Sequence, residues 1–525
     1  MSVSGRHAQT LIDALQNASR YPHPVDRVEL KETPLSWVLL AGEFAYKIKK
    51  PVKVPFADFS TLERRRRNCL DEVRLNRRFA PDLYLDVIAL GGTPDSPTFD
   101  GGAAPIEYAV KLRRFAERDE LWSLLERGEV RTQELQAFGE RLARLHEESP
   151  VCERGPRADR AFATLTANLR ELEALGREQS CDIEPFKTWT EQEWARVGAL
   201  AGERCAQGKV RDCHGDLHAG NVVRLDGQLV AFDCIEFNEE LRCIDVMNDA
   251  AFLVMDLIAR ECRAHAYAFL NGWLESGGEY EGVPLLRLFC VYRALVRAKV
   301  ALLGNDPNKA RRYFETADSL TRVRKPVLAI TCGLSGSGKT WLSSQLMTAL
   351  GWLRVRSDVE RKRLAGLRPE QSSRTLVGHD IYTREFNERV YSRLRALART
   401  MLEAGHSVIV DAAFLRREER SSLLALAEEL AVPGRIVHCV APIDQLRERL
   451  ERRQRAANDA SEADASVMEK QRDYWEPLTA EERTRALEIR TDEPRSAEAA
   501  LYWLQQAETV ATHEGTGRPA ARRSP

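Results

Sequence analysis

The sequence lacks the long apolar segments that place a protein in a membrane. No run reaches the roughly 18 apolar residues that a membrane-spanning helix needs, and the first residues lack the apolar centre of a signal peptide. The 11 cysteines are scattered and form no Cys-x-x-Cys pair, so the usual zinc-binding spacings are absent. We therefore expect a cytoplasmic protein with reduced thiols and no membrane partner.

An excess of charge of one sign is also lacking. Lys and Arg number 78, and Asp and Glu number 79. This balance argues against a strongly basic nucleic-acid binder, although it leaves room for a local basic groove. At 525 residues the chain is too long for a single hydrophobic core, and its length predicts about two to four domains.

The most informative stretch is His-Gly-Asp-Leu-His-Ala-Gly-Asn at 214–221. A short β-rich run follows it, and the Asp-Gly pair at 226–227 is a strong signal for a two-residue hairpin turn. Pairing across this turn places Asn221 opposite the residue before Asp233, at the open end of the hairpin and soon after Asp216. Two carboxylates and one amide oxygen are therefore expected to converge on one place.

This set of side chains suits phosphoryl transfer. Mg²⁺ prefers oxygen ligands and usually takes one or two carboxylates from the protein, with phosphates completing its shell. In kinase-type transfer, one Asp accepts the proton of the substrate hydroxyl, and a later Asn and a second Asp hold the metal. In chain order Asp216 fits the catalytic role, and Asn221 and Asp233 fit the metal-binding roles.

The motif at 214–221, followed by Phe-Asp-Cys-Ile-Glu-Phe at 232–237, resembles the aminoglycoside phosphotransferase family, which has a protein-kinase-like fold. The chain is similar to a bacterial subfamily in which this module is fused to a P-loop kinase module. The resemblance implies an α+β kinase-like domain that uses ATP and Mg²⁺ as cofactors. It does not identify the phosphoryl acceptor, because function depends on the site rather than on the fold.

The resemblance also implies a lysine for the ATP phosphates on the second strand of a hairpin, which the pattern places over 37–49. The Ala-Tyr-Lys that ends at Lys47 resembles the Ala-x-Lys of the family. Glu72, on a helix predicted over 64–76, sits where the family places the acid that pairs with this lysine. Lys49 lies on the same face of the strand and stays a rival. Strands followed by helices are typical of an α+β domain.

An acidic patch follows Asp233 in the sequence. Its acids could bind a cationic acceptor such as an amino sugar, or they could hold the loop and cap a helix predicted to begin near Ala250. We assign the structural role to Asp245 and Asp249. Glu236 stays open between the two interpretations.

The second half of the chain contains a complete P-loop motif, between a buried-strand run at 327–332 and a predicted helix at 341–350. Its residues are Gly333, Leu334, Ser335, Gly336, Ser337, Gly338, Lys339 and Thr340. Such a loop turns its backbone N–H groups toward phosphates at a helix N-terminus. Lys339 would reach the β- and γ-phosphates, and Thr340 would give its hydroxyl oxygen to Mg²⁺.

Strands and helices alternate through the rest of this half, which predicts an α/β domain with a mostly parallel sheet. Asp358 and Asp411 each follow an apolar strand run, at the edge where ligands bind. Asp358 resembles the acceptor-binding Asp of zeta-toxin-like proteins and polynucleotide kinases, and Asp411 resembles the metal-side acid of small P-loop kinases. Arg449 and Arg453 share a helix face. The resemblance to these kinases implies that they close over the phosphates, with a lid tip at 454–466. The alternative, which stays open, is a surface helix with Glu448 and Glu451 as partners.

We therefore predict a kinase-like domain over 1–321, a P-loop domain over 322–507 and a disordered tail over 508–525. Each of the two domains would use ATP and Mg²⁺ to transfer a γ-phosphoryl group to a small hydroxylated acceptor, which makes the protein a bifunctional kinase. Two alternatives stay open. One is a regulatory protein in which one module only senses nucleotide, and the other is a second module that phosphorylates polynucleotide 5′ ends.

Overall fold

The computed structural model describes residues 3–54, 57–101, 104–152, 158–176, 182–322, 325–371, 381, 383–456 and 460–513. The chain divides into two compact units. The first comprises residues 1–130, 145–161 and 201–253, and the second comprises residues 131–144, 162–200 and 254–525. The domain boundary expected at residue 321 stays a prediction.

Most of the first unit's strands precede residue 120. They are β1 (Val28–Glu32), β2 (Ser36–Ala41), β3 (Phe44–Lys49), β4 (Lys53–Val54), β5 (Ala57–Asp58), β6 (Tyr84–Thr93), β7 (Ser96–Thr98) and β8 (Glu107–Arg113). Six of them form an antiparallel sheet in the order β1-β2-β3-β8-β6-β7. The helix α1 (Val3–Leu15) packs with Tyr46 and Ile48 of β3, whereas α2 (Leu62–Asn76) packs with Ala45. Alternation along β3 therefore turns Lys47 and Lys49 toward α2.

Short strands and helices follow. The helices are α3 (Leu121–Glu126), α4 (Thr132–Glu148), α5 (Ala158–Gly176), α6 (Glu184–Ala206), α7 (Glu239–Arg242) and α8 (Val246–Ala259). The strands are β9 (Val210–Asp212), β10 (Val222–Leu225), β11 (Gln228–Ala231) and β12 (Cys243–Asp245). Two antiparallel pairs, β10 with β11 and β9 with β12, flank the 214–221 loop. The α+β class predicted for this part of the chain is confirmed.

The rest of the second unit begins with α9 (Arg263–Gly277), α10 (Val283–Leu303) and α11 (Pro307–Thr321). The strands that follow are β13 (Leu328–Cys332), β14 (Leu353–Arg356), β15 (Val408–Asp411), β16 (Gly434–Val440) and β17 (Ala486–Arg490). The helices among and after them are α12 (Lys339–Leu350), α13 (Ser357–Leu364), α14 (Arg384–Glu403), α15 (Arg417–Glu429), α16 (Ile443–Ala456), α17 (Ala465–Asp473), α18 (Ala480–Thr484) and α19 (Ser496–His513).

The five strands of this part form one parallel sheet in the order β14-β15-β13-β16-β17. All five residues of β13 are buried, as expected for a parallel strand that is covered on both faces. The predicted α/β class is confirmed. The sheet brings the carboxyl ends of β13, β14 and β15 together, where the P-loop, Asp358 and Asp411 follow.

Several boundaries differ from the sequence expectations. The helix expected near Ala250 begins at Val246. The last helix extends six residues into the predicted disordered tail, to His513, and its Glu508 accepts a hydrogen bond from Trp352 Nε1 at 2.6 Å. Residues 514–525 of that tail, and residues 457–459 of the predicted lid tip, lie outside the described residues.

The structure contains a disulfide bond, which corrects the expectation that the thiols are reduced. Cys152 and Cys243 form a disulfide with a Cα–Cα distance of 6.0 Å. Val151 and Cys243 both lie next to β9, through a bridge to Arg211 and a pairing with Asp212, and this proximity is invisible in the spacing of the cysteines. The described part of the chain has no helix that is both long and apolar enough to cross a membrane.

Candidate active sites

The hairpin after the 214–221 loop has the predicted register. The pairing of β10 with β11 continues to the Phe232 N–H, which donates to the Asn221 carbonyl oxygen at 2.9 Å. The Asn221 side-chain amide donates to the Asp216 carboxylate at 3.1 Å and to the Asp216 carbonyl oxygen at 3.0 Å. The structure therefore brings Asp216 and Asn221 into direct contact, and Asn221 is paired with Phe232, the residue before Asp233.

Asp249 fixes the backbone at the start of the 214–221 loop. Its carboxylate is fully buried and accepts hydrogen bonds from the backbone N–H groups of His214 at 3.1 Å and Gly215 at 2.8 Å. His146 Nε2 lies 3.0 Å from the same carboxylate. Burial alone would raise the pKa of Asp249, but the hydrogen bond and charge of His146 lower it to about 2. Asp249 thus fixes the loop, whereas Asp245 caps α8 by accepting from the Met247 N–H at 2.8 Å.

The His214 ring joins the two ends of the site. Its Nε2 lies 2.9 Å from the carbonyl oxygen of Phe232, and its Nδ1 accepts the backbone N–H of Asp216 at 3.3 Å. These partners place the proton on Nε2 of a neutral ring. Burial lowers the pKa of His214, which favours the same neutral form at pH 7. The ring therefore ties the loop that carries Asp216 to the strand that precedes Asp233.

Lys47 lies between Glu72, the acid predicted to pair with it, and Asp233, which was predicted only as a metal ligand. Its Nζ is 2.8 Å from Glu72 and forms a second ion pair with Asp233. Burial alone would lower the pKa of Lys47, but Asp233 and Glu72 raise it well above its ordinary value. Glu72 is fully buried, and the two nearby lysines outweigh its burial and lower its pKa to about 2. Lys47 and Glu72 are therefore both charged at pH 7.

Lys49 occupies the inner end of the same cluster. It is 2% exposed, lies 2.5 Å from Glu72 and forms a second ion pair with Glu236. Burial raises the pKa of Glu236 above its ordinary value. Glu236, which the sequence left open, is thus a buried partner of Lys49. The Asp233 side chain beside Lys47 is 44% exposed, so Lys47 is the lysine at the open end of the cluster.

Sequence reasoning missed two residues that shape the backbone at Asp233. This residue has a φ of 60°, a conformation that is uncommon outside glycine and that concentrates at functional sites. Its N–H donates to the hydroxyl oxygen of Tyr84 at 3.0 Å, and the next N–H, of Cys234, donates to Asn76 Oδ1 at 2.9 Å. No local pattern reveals these partners, which lie about 150 residues earlier in the chain.

Alanine substitutions at Lys47 and Lys49 are expected to differ in kind. Lys47→Ala should weaken binding of an ATP analogue about 10–100-fold, which corresponds to a lost charge-assisted hydrogen bond. Lys49→Ala leaves Glu72 and Glu236 buried with less compensation and should lower the free energy of unfolding by about 3–5 kcal/mol. Equilibrium binding and chemical denaturation measure the two effects.

Lys53→Ala provides the matched control, because Lys53 is 75% exposed and should change stability by less than about 0.5 kcal/mol. Equal and mild effects of Lys47→Ala and Lys49→Ala on nucleotide binding would contradict the assignment of Lys47.

The P-loop has the backbone that its glycines permit. Gly333, Gly336 and Gly338 have φ values of 141°, 83° and 85°, and a Cβ at Gly333 would lie 2.3 Å from the Cys439 carbonyl oxygen. Lys339 Nζ donates to the carbonyl oxygens of Gly333 at 2.9 Å and of Leu334 at 2.8 Å. Burial lowers the pKa of Lys339.

Asp411 lies at the end of β15, where its carboxylate is almost fully buried. Its oxygens accept from Ser343 Oγ at 2.9 Å and from Thr331 Oγ1 at 3.4 Å. In the sheet register Asp411 is the partner of Arg356, the last residue of β14. Asp358, two residues beyond Arg356, follows in the first turn of α13. The two acids thus stand at the carboxyl ends of neighbouring strands, as predicted.

One cavity of about 1380 Å³ contains the elements predicted for the second site. Lys339, Thr340, Asp358, Asp411, Arg449 and Arg453 all line it. Both arginines belong to α16, which confirms their common helix. Arg449 donates to the Gly336 carbonyl oxygen at 3.3 Å and to Thr491 Oγ1 at 2.9 Å, and Arg453 donates to the Ala463 carbonyl oxygen.

The oxygen-bearing side chains of both sites fit Mg²⁺. The first site offers the carboxylates of Asp216 and Asp233 and the amide oxygen of Asn221, and the second offers the Thr340 hydroxyl and the Asp411 carboxylate. These are the hard ligands that Mg²⁺ prefers in a phosphate-binding site. In addition, the buried Ser337 hydroxyl in the P-loop has no hydrogen-bond partner within the described residues.

Comparisons with known proteins match the two halves separately. Residues 103–286 match a family model described as phosphotransferase enzyme family, and residues 328–478 match one described as AAA domain. Uncharacterized proteins of Mycobacterium tuberculosis and Mycobacterium bovis are 29% identical to this chain over 468 residues, which cover 86% of this chain and 92% of theirs.

Solved kinase structures are also similar to parts of the chain. Choline kinase from Cryptosporidium parvum is 10% identical and covers 59% of this chain and 94% of its own, with a TM-score of 0.39. A gluconokinase from Sinorhizobium meliloti is 21% identical and covers 36% of this chain and 97% of its own, with a TM-score of 0.25. Residues 103–286 thus match the phosphotransferase enzyme family and residues 328–478 match the AAA domain family, and together the two matches indicate a phosphotransferase of the kinase type.

Proposed function

We propose that the protein is a bifunctional kinase in which each module transfers the γ-phosphoryl group of ATP to a small hydroxylated acceptor. The observation that supports it best is that each site has its own partly buried lysine and its own set of acids. Lys47 lies between Glu72 and Asp233, and Lys339 lines one cavity with Asp358 and Asp411. Nothing in either arrangement requires residues of the other.

In the first site, Asp216 accepts the proton of the acceptor hydroxyl, and the contact from Asn221 fixes its carboxylate. Lys47, oriented by Glu72, holds the ATP phosphates. Asn221 and Asp233 hold Mg²⁺, which when bound neutralises the charge of the phosphates. The buried ion pairs of the cluster restrict the lysine to one position, so that it need not reorganise when nucleotide binds.

In the second site, the P-loop holds the phosphates with its backbone N–H groups and Lys339. Thr340 and Asp411 hold Mg²⁺, and Asp358 orients or deprotonates the acceptor hydroxyl. Arg449 and Arg453 contact the phosphates from α16. Because Arg449 now donates to a P-loop carbonyl oxygen, it has to exchange that partner for phosphate when nucleotide binds.

The charge of the second cavity favours an anionic acceptor. Among the described residues, nine Lys and Arg side chains line it against five Asp and Glu side chains, an excess larger than nucleotide phosphates with Mg²⁺ alone would neutralise. A phosphorylated or carboxylated small molecule suits this excess, and so does the 5′ end of a polynucleotide. Binding that weakens steeply with salt would favour the polynucleotide.

Acceptor-stimulated release of ADP tests the proposal. A panel of aminoglycosides, amino alcohols, sugars, sugar acids and oligonucleotides is offered to wild type, Asp216→Asn and Asp358→Asn. We expect at least one acceptor to lose its stimulation in only one of the two variants, which attributes it to one site. Binding of nucleotide without multiple turnover on any acceptor would instead favour a nucleotide-sensing protein.

A further inference from the structure

The edge of the P-loop sheet is covered by α9, a helix that belongs to the phosphotransferase-family segment. The side-chain amide of Asn271 donates to the Trp352 carbonyl oxygen at 3.0 Å, and its oxygen accepts the Arg354 N–H at 2.7 Å. The Tyr280 hydroxyl donates to the Arg354 carbonyl oxygen at 3.3 Å. Asn271 thus supplies the hydrogen bonds that another strand would give to the exposed edge of β14.

The Arg354 side chain extends from this edge into the P-loop module. It is 1% exposed and forms an ion pair with Glu275 of α9, at 3.0 Å and 3.2 Å to the two carboxylate oxygens. A bidentate pair of this kind fixes the plane of the guanidinium group. Because both groups are buried, each is the main compensation for the charge of the other.

The other side of the same guanidinium leads to the proposed metal site. Arg354 Nη1 donates to Ser344 Oγ at 2.5 Å and to Ser343 Oγ at 3.3 Å. Ser343 Oγ in turn donates to Asp411 Oδ2 at 2.9 Å. A continuous series of hydrogen bonds therefore runs from Glu275 through Arg354 and Ser343 to Asp411.

We propose that Glu275 is a positioning residue for the second site, although it lies in the phosphotransferase-family segment. It holds Arg354 so that Ser343 orients the Asp411 carboxylate, and it neutralises a cation close to where Mg²⁺ binds. This inference rests on the proposed role of Asp411. It implies that the P-loop module needs α9 for full metal affinity and does not merely adjoin it.

A substitution of nearly the same shape tests whether the negative charge of Glu275 matters for Mg²⁺ binding. Glu275→Gln keeps a hydrogen-bond acceptor for Arg354 but removes the negative charge, so the guanidinium charge should oppose Mg²⁺. Removal of a partner that orients a metal ligand typically costs 10–100-fold in metal affinity. We expect an increase of about this size in the Mg²⁺ concentration that gives half-maximal binding of a non-hydrolysable ATP analogue.

The measurement uses the full chain with Asp233→Ala as background, so that the second site dominates the signal. Analogue affinity in EDTA and thermal stability without metal are measured in parallel, and neither should account for the change in the Mg²⁺ midpoint. Glu281→Gln is the matched control, because Glu281 pairs with Arg393 of α14 at 2.6 Å. Through Glu360 and Arg363 this pair reaches the backbone oxygen of Glu275 but not its carboxylate. The Mg²⁺ midpoint of Glu281→Gln should therefore equal that of the background.

Ser343→Ala removes the last link of the series while leaving the pair of Glu275 and Arg354 intact. It should raise the Mg²⁺ midpoint as well, and the double variant should be less impaired than the product of the two single effects. An unchanged midpoint for Glu275→Gln overturns the inference, and so do independent effects in the double variant. If Glu275→Gln does not fold, an unchanged midpoint for Ser343→Ala overturns it. Lys339→Ala distinguishes failure of this inference from failure of the proposed function. Intact nucleotide binding at the second site of that variant refutes the proposed function itself.

Discussion

Asp216→Asn is expected to slow phosphoryl transfer at the first site by about 10²–10⁴-fold, the contribution of general acid–base catalysis. The amide has nearly the shape of the carboxylate but does not accept a proton at neutral pH. The structure fixes Asp216 through Asn221 and leaves its side chain 38% exposed, so an acceptor hydroxyl can reach it. Affinity for nucleotide should change little, because Asp216 contacts the acceptor in this account.

Asp226→Asn is the matched control for this experiment. It makes the same chemical change on the hairpin that follows the 214–221 loop, at an exposed turn residue that pairs with Arg113. Its turnover should equal that of wild type. An Asp216→Asn variant that keeps near-full turnover would contradict the catalytic assignment, and loss of folding in this variant would mean that Asp216 has a structural role instead.

Lys339→Ala is expected to lower nucleotide affinity at the second site by at least about 100-fold, because the lost ammonium makes several charge-assisted hydrogen bonds with phosphate. The same ammonium now donates to the Gly333 and Leu334 carbonyl oxygens within the loop. Those acceptors lose a partner in the variant, so thermal stability without nucleotide must be recorded alongside binding. The first site should keep its affinity.

Lys470→Ala controls for the loss of a positive charge from the same cavity. Lys470 lines the cavity from α17 but is exposed and distant in sequence from the loop. We expect a small, salt-dependent loss of affinity. If Lys470→Ala and Lys339→Ala were equally impaired, the cavity would attract nucleotide only through its overall charge, and the specific role of the P-loop lysine would be wrong.

The parts of the sites that are encoded by local spacing could be predicted from the sequence. An Asp-Gly turn sets the hairpin register, and the register places Asn221 next to the residue before Asp233. The P-loop motif carries its own strand, glycines and helix. Lys47 and Glu72 are far apart in sequence but sit on a strand and a helix whose patterns are clear, so their pairing followed from the resemblance to a known family.

The contacts that support these groups could not be predicted, because they join distant elements through buried polar side chains. Asp249, in the first turn of α8, accepts hydrogen bonds from the backbone of the 214–221 loop, and the Tyr84 hydroxyl of β6 accepts one from the Asp233 N–H. Lys49 proved to be a buried partner of Glu72 as well as a rival of Lys47. The same holds for Glu275 and Arg354. In the sequence they resemble ordinary charged surface residues, and only the fold shows that they are buried.

The number of nucleotides bound per chain shows whether the protein has two independent kinase sites. Wild type is titrated with a Mg²⁺-bound, non-hydrolysable ATP analogue, and the same titration is made on Lys339→Ala and on Lys47→Ala. We expect two nucleotides per wild-type chain and a single high-affinity site in each variant. Binding of one nucleotide by wild type, or loss of both sites in Lys339→Ala, would contradict the assignment of two independent kinase sites.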